Sequence, residues 1–188
     1  MAAGSTSAQL GVVAAGHPIS SEAGAGALRD GGNAVDAAVA AMLASLTCEP
    51  LLTGLGAGGY LLAVTPRGEP TLLDFFVEAP GRGLGESAPS ARTEMISVPV
   101  SFGDAVQEFH IGVASAGTYG FPSGVCEAAT RFCRLPLERL AAPAVAHARA
   151  GVQLNAQQAY VVELLEGTVT STPESAALFA PGGRLVRA

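Results

Sequence analysis

Apolar residues recur at helical spacing along residues 34–47. Five of them fall on one face of a 3.6-residue period: Val35, Val39, Met42, Leu43 and Leu46. Asn33 precedes the run and Asp36 stands three residues later, an arrangement typical of a capping box that satisfies the free N–H groups of a first helical turn. Two glycines before Asn33 permit a sharp turn, because glycine adopts positive φ without steric cost. The pattern predicts two helices joined by a tight corner, the second over residues 34–47.

The first half of the chain alternates between these helical signals and short β-type runs. We predict a buried strand over residues 10–15 and a helix over residues 22–30, capped by Ser20 or Ser21. Residues 60–65 and 70–76 are rich in β-forming side chains and flank turn residues, which indicates a hairpin. Residues 81–94 carry no apolar period and are expected to form a loop.

The second half is expected to contain one more strand pair, within residues 98–111, and then helices. Four helices are predicted there: from Pro122 or Ser123 to Arg134, from Pro136 to Gly151, from Asn155 to Gly167, and one beginning at Thr172. Helices, then strands, then helices indicate an α+β fold that is not doubly wound.

Composition narrows the function classes. Apolar residues make up 49% of the 188 positions and charged residues 14%, which is typical of a globular protein. The net charge of −6 argues against nucleic acid or an anionic membrane as a partner. The longest apolar run is interrupted by Asp36 and Ser45 and is too short to span a bilayer. No basic residue precedes Arg29, so we see no signal peptide and expect a cytoplasmic protein, or an exported one if the start site is misassigned.

Neither a metal site nor a cofactor is predicted. Cys48, Cys126 and Cys133 form no C-x-x-C spacing and are expected to be buried reduced thiols, and the three histidines are scattered. Residues 54–59 satisfy G-x-G-x-x-G and Asp74 follows about 20 residues later, as in a dinucleotide site. A β-type run follows these glycines where that fingerprint needs a helix, so we expect a packing turn there instead.

Four blocks in this order resemble the γ-glutamyltransferases (γ-glutamyl transpeptidases) and their acylase relatives. They are residues 11–18, 48–60, 73–80 with Leu-Asp and Ala-Pro at their ends, and 136–151. Residues 30–41, with the Asp-Gly-Gly-Asn corner, resemble the N-terminal region of the same family as well. The resemblance implies an N-terminal-nucleophile hydrolase, an αββα sandwich, of which residues 1–188 form the N-terminal part of a single domain. It also implies a small-molecule substrate, a γ-glutamyl or other acyl amide, that is cleaved through an acyl-enzyme. The acyl group then passes to water or an amine.

The same resemblance places the catalytic nucleophile outside this chain. In the family, self-cleavage exposes an N-terminal Thr whose α-amino group acts as its base. The chain contains no Thr-Thr-His or Thr-x-His string, so we expect that Thr, and the small subunit that carries it, beyond Ala188. No catalytic residue is predicted in residues 1–188, and the chain alone is expected to be inactive. The missing portion is its expected partner, and its absence is expected to leave apolar surface exposed.

Substrate-binding residues are predicted in the 73–80 block. The family places there an Arg that holds the α-carboxylate of the γ-glutamyl group, followed by a Glu. This sequence has Phe76 and Val77 at those positions, with Glu78 and Arg82 close by. We predict these four as substrate-binding residues, with Arg82 either replacing the missing Arg or lying exposed in the loop. Phe76 favours an apolar or differently charged acyl group, so a cephalosporin or glutaryl acylase is one alternative. A non-catalytic truncated protein, without the nucleophile, is the other.

Overall fold

The computed structural model describes residues 11–66, 68–83 and 95–188, and their helices and strands follow the predicted order. The helices in these ranges are α1 (Pro18–Arg29), α2 (Ala34–Cys48), α3 (Phe121–Phe132), α4 (Leu137–Ala150), α5 (Ala156–Leu164), α6 (Glu166–Val169) and α7 (Pro173–Phe179). The strands are β1 (Tyr60–Ala63), β2 (Thr71–Asp74), β3 (Ile96–Ser101) and β4 (Val106–Ile111). The predicted loop over residues 81–94 lies mostly outside the described residues.

The strands form two antiparallel hairpins, as the sequence predicts. In β1–β2, Tyr60 stands opposite Asp74 and Ala63 opposite Thr71. In β3–β4, Ile96 stands opposite Ile111. Together with the surrounding helices, these sheets make an α+β structure, and the predicted class is confirmed.

The predicted capping box begins α2. Asn33 accepts hydrogen bonds through Oδ1 from the backbone N–H groups of Val35 (2.7 Å) and Asp36 (3.1 Å), and its own N–H donates to Asp36 Oδ2 at 2.7 Å. Gly31, with φ of 90°, makes the corner between α1 and α2. Residues close in sequence make these bonds, which is why the motif could be read without a structure.

Asp36 also ends the third helix. Its carboxylate accepts from the backbone N–H of Arg134 at 3.1 Å and of Leu135 at 2.9 Å. The Asn33 amide adds a hydrogen bond to the Phe132 carbonyl at 2.7 Å. The predicted helix end at Arg134 is therefore two residues too late, because these groups bond to α2 instead of continuing α3.

The core lies between α2 and its neighbours and is built largely from small side chains. Its buried members are Ala23, Ala27, Val39, Ala40, Ala44, Leu61, Ala63, Leu73, Phe121, Val125, Ala128 and Leu140. The inward-facing residues of β1 and β2 therefore pack on helices. The opposite face of this hairpin, which we call the outer face, exposes Tyr60, Leu62, Val64, Leu72 and Phe76. No helix in the described ranges is long and apolar enough to cross a membrane.

The predicted strand over residues 10–15 is wrong for the residues that the structure describes. Residues 11–15 form no strand and are mostly exposed, and within the described part of the chain their backbone groups bond to no other strand. Val13 instead places a methyl group against α1 beside Gly24. A strand needs a neighbour for its backbone N–H and C=O groups, and none of the described strands lies there.

The predicted cap of α1 is also wrong. The helix begins four residues earlier than expected, and His17 caps it by accepting from the Ile19 N–H through Nδ1 at 3.1 Å. Ser20 is buried, and its hydroxyl donates to Glu49 Oε1 at 2.8 Å. Pro18 at the first helical position explains the earlier start, because its fixed φ suits a helix and its missing N–H needs no partner there.

The helix predicted from Asn155 to Gly167 is divided in two. Asn155 caps α5 with a capping box to Gln158, as expected, but α5 ends at Leu164 and Gly167 lies inside α6. An added Cβ at Gly167 would lie 2.9 Å from Val98 Cγ1, so this glycine serves the close approach of β3 and not the end of a helix. Thr172 caps α7 as predicted, accepting from the Ser175 N–H at 3.2 Å.

Candidate functional site

The segment that contains the predicted binding residues continues from β2 along the glycine-rich turn before β1. Phe75 exchanges two backbone hydrogen bonds with Gly59, at 3.0 and 3.2 Å. A Cβ added at Gly58 would lie 2.5 Å from the Val77 nitrogen, so the backbones approach as only glycine allows. β1 follows this turn directly, which confirms that residues 54–59 form a packing turn and not a helix-opening dinucleotide fingerprint.

The other side of the segment is held by the connection into α3. Glu78 and Thr118 exchange backbone hydrogen bonds at 3.2 and 2.7 Å, and the Phe121 N–H donates to the Ala57 carbonyl at 3.0 Å. The Phe75 ring points toward α3, where it meets the Phe121 ring edge-on with centroids 6.5 Å apart. The backbone of residues 75–78 is therefore fixed on both sides.

Phe76 points the opposite way from Phe75, onto the outer face of the hairpin. Its ring stacks on Tyr60 with centroids 5.3 Å apart and planes 9° from parallel. Both side chains remain about half exposed, Phe76 at 51% and Tyr60 at 56%. Asp74 is exposed beside them, and its Oδ1 accepts from the Phe76 N–H at 3.1 Å. This hydrogen bond holds the backbone that carries Phe76.

The remaining predicted residues lie next along the segment. Glu78 and Arg82 form an ion pair of 2.9 Å in which both side chains are exposed, and Val77 is partly exposed beside them. Glu78 thus engages the Arg82 guanidinium, whereas the Phe76 ring stacks on Tyr60. Whether Arg82 replaces the family Arg stays a prediction.

Tyr60 is the neighbour that our sequence reasoning did not select. Side chains two residues apart in a strand share a face, so the alternation of side chains places Asp74 and Phe76 on one face. Tyr60 pairs with Asp74 across the hairpin and therefore lies on that face too. The strand register was needed to convert that alternation into a contact.

The cysteines do not match the expected uniform burial. Cys48 is buried and Cys133 partly buried, but Cys126 is exposed on α3. Burial raises the pKa of the Cys133 thiol to about 12, with the negative charge of Asp36 and a hydrogen bond to it adding to the effect. Burial also raises the pKa of Cys48. Within the described residues, no group of three or more His, Cys, Asp or Glu side chains is placed to hold a metal ion.

We expect a native protein to alkylate first at Cys126 alone. The thiolate is the reactive form. Cys48 and Cys133 are less accessible than Cys126, and the raised pKa of each leaves less thiolate at pH 8. Brief iodoacetamide treatment at pH 8, followed by intact mass measurement, should show one adduct, and unfolding in urea should give three. A Cys126→Ser variant serves as the control and should remain unlabelled over the same interval. Rapid labelling of Cys133 in that variant would contradict the burial described above.

The family model described as gamma-glutamyltranspeptidase matches residues 20–188. The chain is 30% identical over 178 residues to the acylase ACY 1 proenzyme of Pseudomonas sp. strain SE83, covering 95% of this chain and 31% of that protein. It is 33% identical over 176 residues to glutathione hydrolase 3 of Arabidopsis thaliana, covering 94% of this chain and 24% of that protein. The chain therefore spans about a third or less of these relatives.

Solved structures show the same fold. The γ-glutamyltranspeptidase of Helicobacter pylori superposes with a TM-score of 0.76 at 24% identity, covering 95% of this chain and 49% of that chain. The cephalosporin acylase of Bacillus halodurans superposes with a TM-score of 0.72 at 28% identity, covering 91% of this chain and 31% of that chain. The predicted fold class, an incomplete N-terminal-nucleophile hydrolase, is confirmed.

Proposed function

This chain belongs to the γ-glutamyltranspeptidase family, and we propose that it is the acyl-binding, N-terminal part of an enzyme that cleaves amides. A nucleophile would attack the amide carbonyl, and the C–N bond would break, which releases the protonated amine and leaves an acyl-enzyme. The acyl group would then pass to water or to a second amine, which frees the nucleophile. Residues 1–188 would form one portion of a single domain, with the catalytic small subunit outside them.

One observation carries the proposal: the family match runs through residues 73–80, and the structure holds this segment on both sides. Backbone bonds from Gly59 and Thr118 fix it, while Phe76 and Glu78 remain exposed. A substrate-binding strip needs this combination, because a fixed backbone positions exposed side chains at low entropic cost. We propose Phe76, Val77, Glu78 and Arg82 as the residues that contact the acyl part of the substrate.

The remaining portion of the protein would cover the part of the outer face formed by Leu62, Val64 and Leu72, and would leave the Tyr60 and Phe76 rings open to substrate. That face carries exposed apolar side chains, a pattern that marks a surface for another element. Coverage of about a third or less of the curated relatives supports a missing portion of this kind. No Thr-Thr-His or Thr-x-His string occurs in residues 1–188, which supports a nucleophile in that other portion.

An acylase is the second candidate, and Phe76 is the observation that favours it. An aromatic ring at the position of a carboxylate-binding Arg removes a charge-assisted hydrogen bond worth about 1.5–3 kcal/mol. Similarity to an acylase proenzyme over 95% of the chain agrees with this reading. The third candidate, a non-catalytic truncated protein, is decided by the experiment below.

The test compares the 188-residue chain with the complete gene product that contains it. We expect the complete product to cut itself into two subunits and to release nitroaniline from γ-glutamyl or other acyl p-nitroanilides, faster when glycylglycine is added as acceptor. The chain alone should release none. Turnover by the chain alone would place the nucleophile within residues 1–188 and overturn the proposal. An inactive complete product would favour the non-catalytic candidate.

We also propose a cytoplasmic location. The three cysteines are free thiols, which suits a reducing compartment. Fractionation of cells with an antibody to this chain tests the location, and recovery outside the cell membrane would overturn it.

A further inference from the structure

Two half-exposed rings stack on each other where residues 75–78 run beside the start of β1. Tyr60 and Phe76 stack with centroids 5.3 Å apart and nearly parallel planes. The hydrogen bond from the Phe76 N–H to Asp74 fixes the backbone below one ring, and the β1–β2 register fixes the other. The pair is thus a preformed stack of two aromatic rings, which we call the aromatic platform.

The charges around the aromatic platform disfavour an anion. Asp74 lies on the same face and is exposed, and it takes part in no ion pair within the described ranges. The nearest charges along the segment are those of Glu78 and Arg82, which neutralise each other. The described surroundings therefore leave one uncompensated negative charge next to two apolar rings.

We propose that the aromatic platform selects the acyl group, and that it takes an uncharged aromatic acyl group of the arylacetyl type in preference to one that carries a carboxylate. This inference rests on the proposed function, since only an amide-cleaving enzyme has an acyl group to select. A third ring continues an offset stack, which is the favoured arrangement of aromatic side chains. A carboxylate meets the Asp74 charge, and the Arg82 guanidinium farther along the segment is already paired with Glu78.

The first experiment measures binding and does not depend on turnover. The probe is phenylacetamide, with glutaramic acid as the carboxylate-bearing comparison, and saturation-transfer NMR reports the bound state on the complete protein. We expect phenylacetamide to bind at least roughly tenfold more tightly than glutaramic acid. Tyr60→Leu and Phe76→Leu keep an apolar side chain but remove a ring, and each should weaken phenylacetamide by roughly two- to tenfold.

A matched control comes from the second hairpin. Phe102 is exposed to a similar degree, 47%, and lies 6.4 Å from the Phe109 ring. Phe102→Leu should leave phenylacetamide binding unchanged. Equal loss in Phe102→Leu would show non-specific binding and overturn the proposal. Unchanged phenylacetamide binding in Phe76→Leu would also overturn the proposal. That result is expected if the rest of the protein or a second copy covers the platform.

The second experiment separates this inference from the proposed function. Phenylacetyl and γ-glutamyl p-nitroanilides share a leaving group, so the ratio of their kcat/KM values reports acyl preference alone. We expect the phenylacetyl compound to be preferred, and Phe76→Arg to shift the ratio toward γ-glutamyl by roughly 10- to 100-fold. A γ-glutamyl preference in the unaltered protein overturns the aromatic platform. If the protein cleaves neither compound, that result counts against the proposed function. The binding measurement then tests the aromatic platform by itself.

Discussion

Asp36→Ala is expected to destabilise the protein by about 3–5 kcal/mol, a large share of the roughly 5–15 kcal/mol that holds a typical domain folded. The side chain is 0% exposed and accepts from the backbone N–H groups of Asn33, Arg134 and Leu135. Removing the carboxylate leaves these donors in the interior without partners, and each unsatisfied group costs about 1–3 kcal/mol. Urea denaturation of the purified protein measures the change.

The exposed Asp30 offers the matched control. It forms an ion pair with Arg139 at 3.0 Å in which both side chains are substantially exposed, and exposed pairs contribute about 0–1 kcal/mol. Asp30→Ala should therefore shift the denaturation midpoint little. A loss of similar size in both variants would show that Asp36 stabilises the fold only as a general negative charge.

The same carboxylate gives stability a predictable dependence on pH. Burial alone would raise the pKa of Asp36, but hydrogen bonds from the Asn33, Leu135 and Arg134 N–H groups and the Cys133 thiol hold that pKa below its ordinary value of 3.8. A depressed pKa in the folded state contributes stability above the ordinary value and loses it as the pH falls toward the folded-state value. Stability should therefore fall below about pH 4, and the fall should be weaker in Asp36→Ala.

How far the sequence predicts this molecule depends on how far apart the interacting residues lie. The Asn33 and Asp36 capping box and both hairpins were predictable, because their partners are near in sequence. The second role of Asp36 was not, since Arg134 and Leu135 are 98 and 99 residues away. The same holds for Ser20, whose side chain was expected to cap a helix but bonds to Glu49, 29 residues later.

The candidate site divides in the same way. The block at residues 73–80 marks Phe76 through resemblance, and alternation alone places Phe75 and Phe76 on opposite faces of the segment. The stacking of Phe76 on Tyr60 and the ion pair between Glu78 and Arg82 depend on register and side-chain direction, which only the structure gives. The strand predicted at residues 10–15 fails for a related reason: its composition suits a strand, but no described strand lies beside it.

Gly124→Ala is expected to destabilise the protein and to disturb the candidate site together. In an exposed helix the change from Gly to Ala stabilises by about 0.5–1 kcal/mol. At Gly124, however, the added Cβ would lie 2.1 Å from Phe75 Cγ, far inside van der Waals contact. Forcing extra atoms into packed surroundings costs about 1–3 kcal/mol. The overlap is with the base of the Phe75 ring and not with a flexible end, so we expect this cost to exceed the gain from replacing Gly with Ala.

Relief of that overlap has to move the segment that carries Phe76 away from α3, because Phe75 is its immediate neighbour and is bonded to Gly59 on the other side. Gly26→Ala in α1 is the control, since its added Cβ would meet only Arg29 Nη2, at 3.9 Å, among the described residues. Thermal unfolding should show a lower midpoint for Gly124→Ala and an unchanged or higher one for Gly26→Ala, and phenylacetamide binding should weaken in the first variant alone. If Gly124→Ala is as stable as the unaltered protein, α3 does not hold residues 75–78 in place as closely as the structure describes.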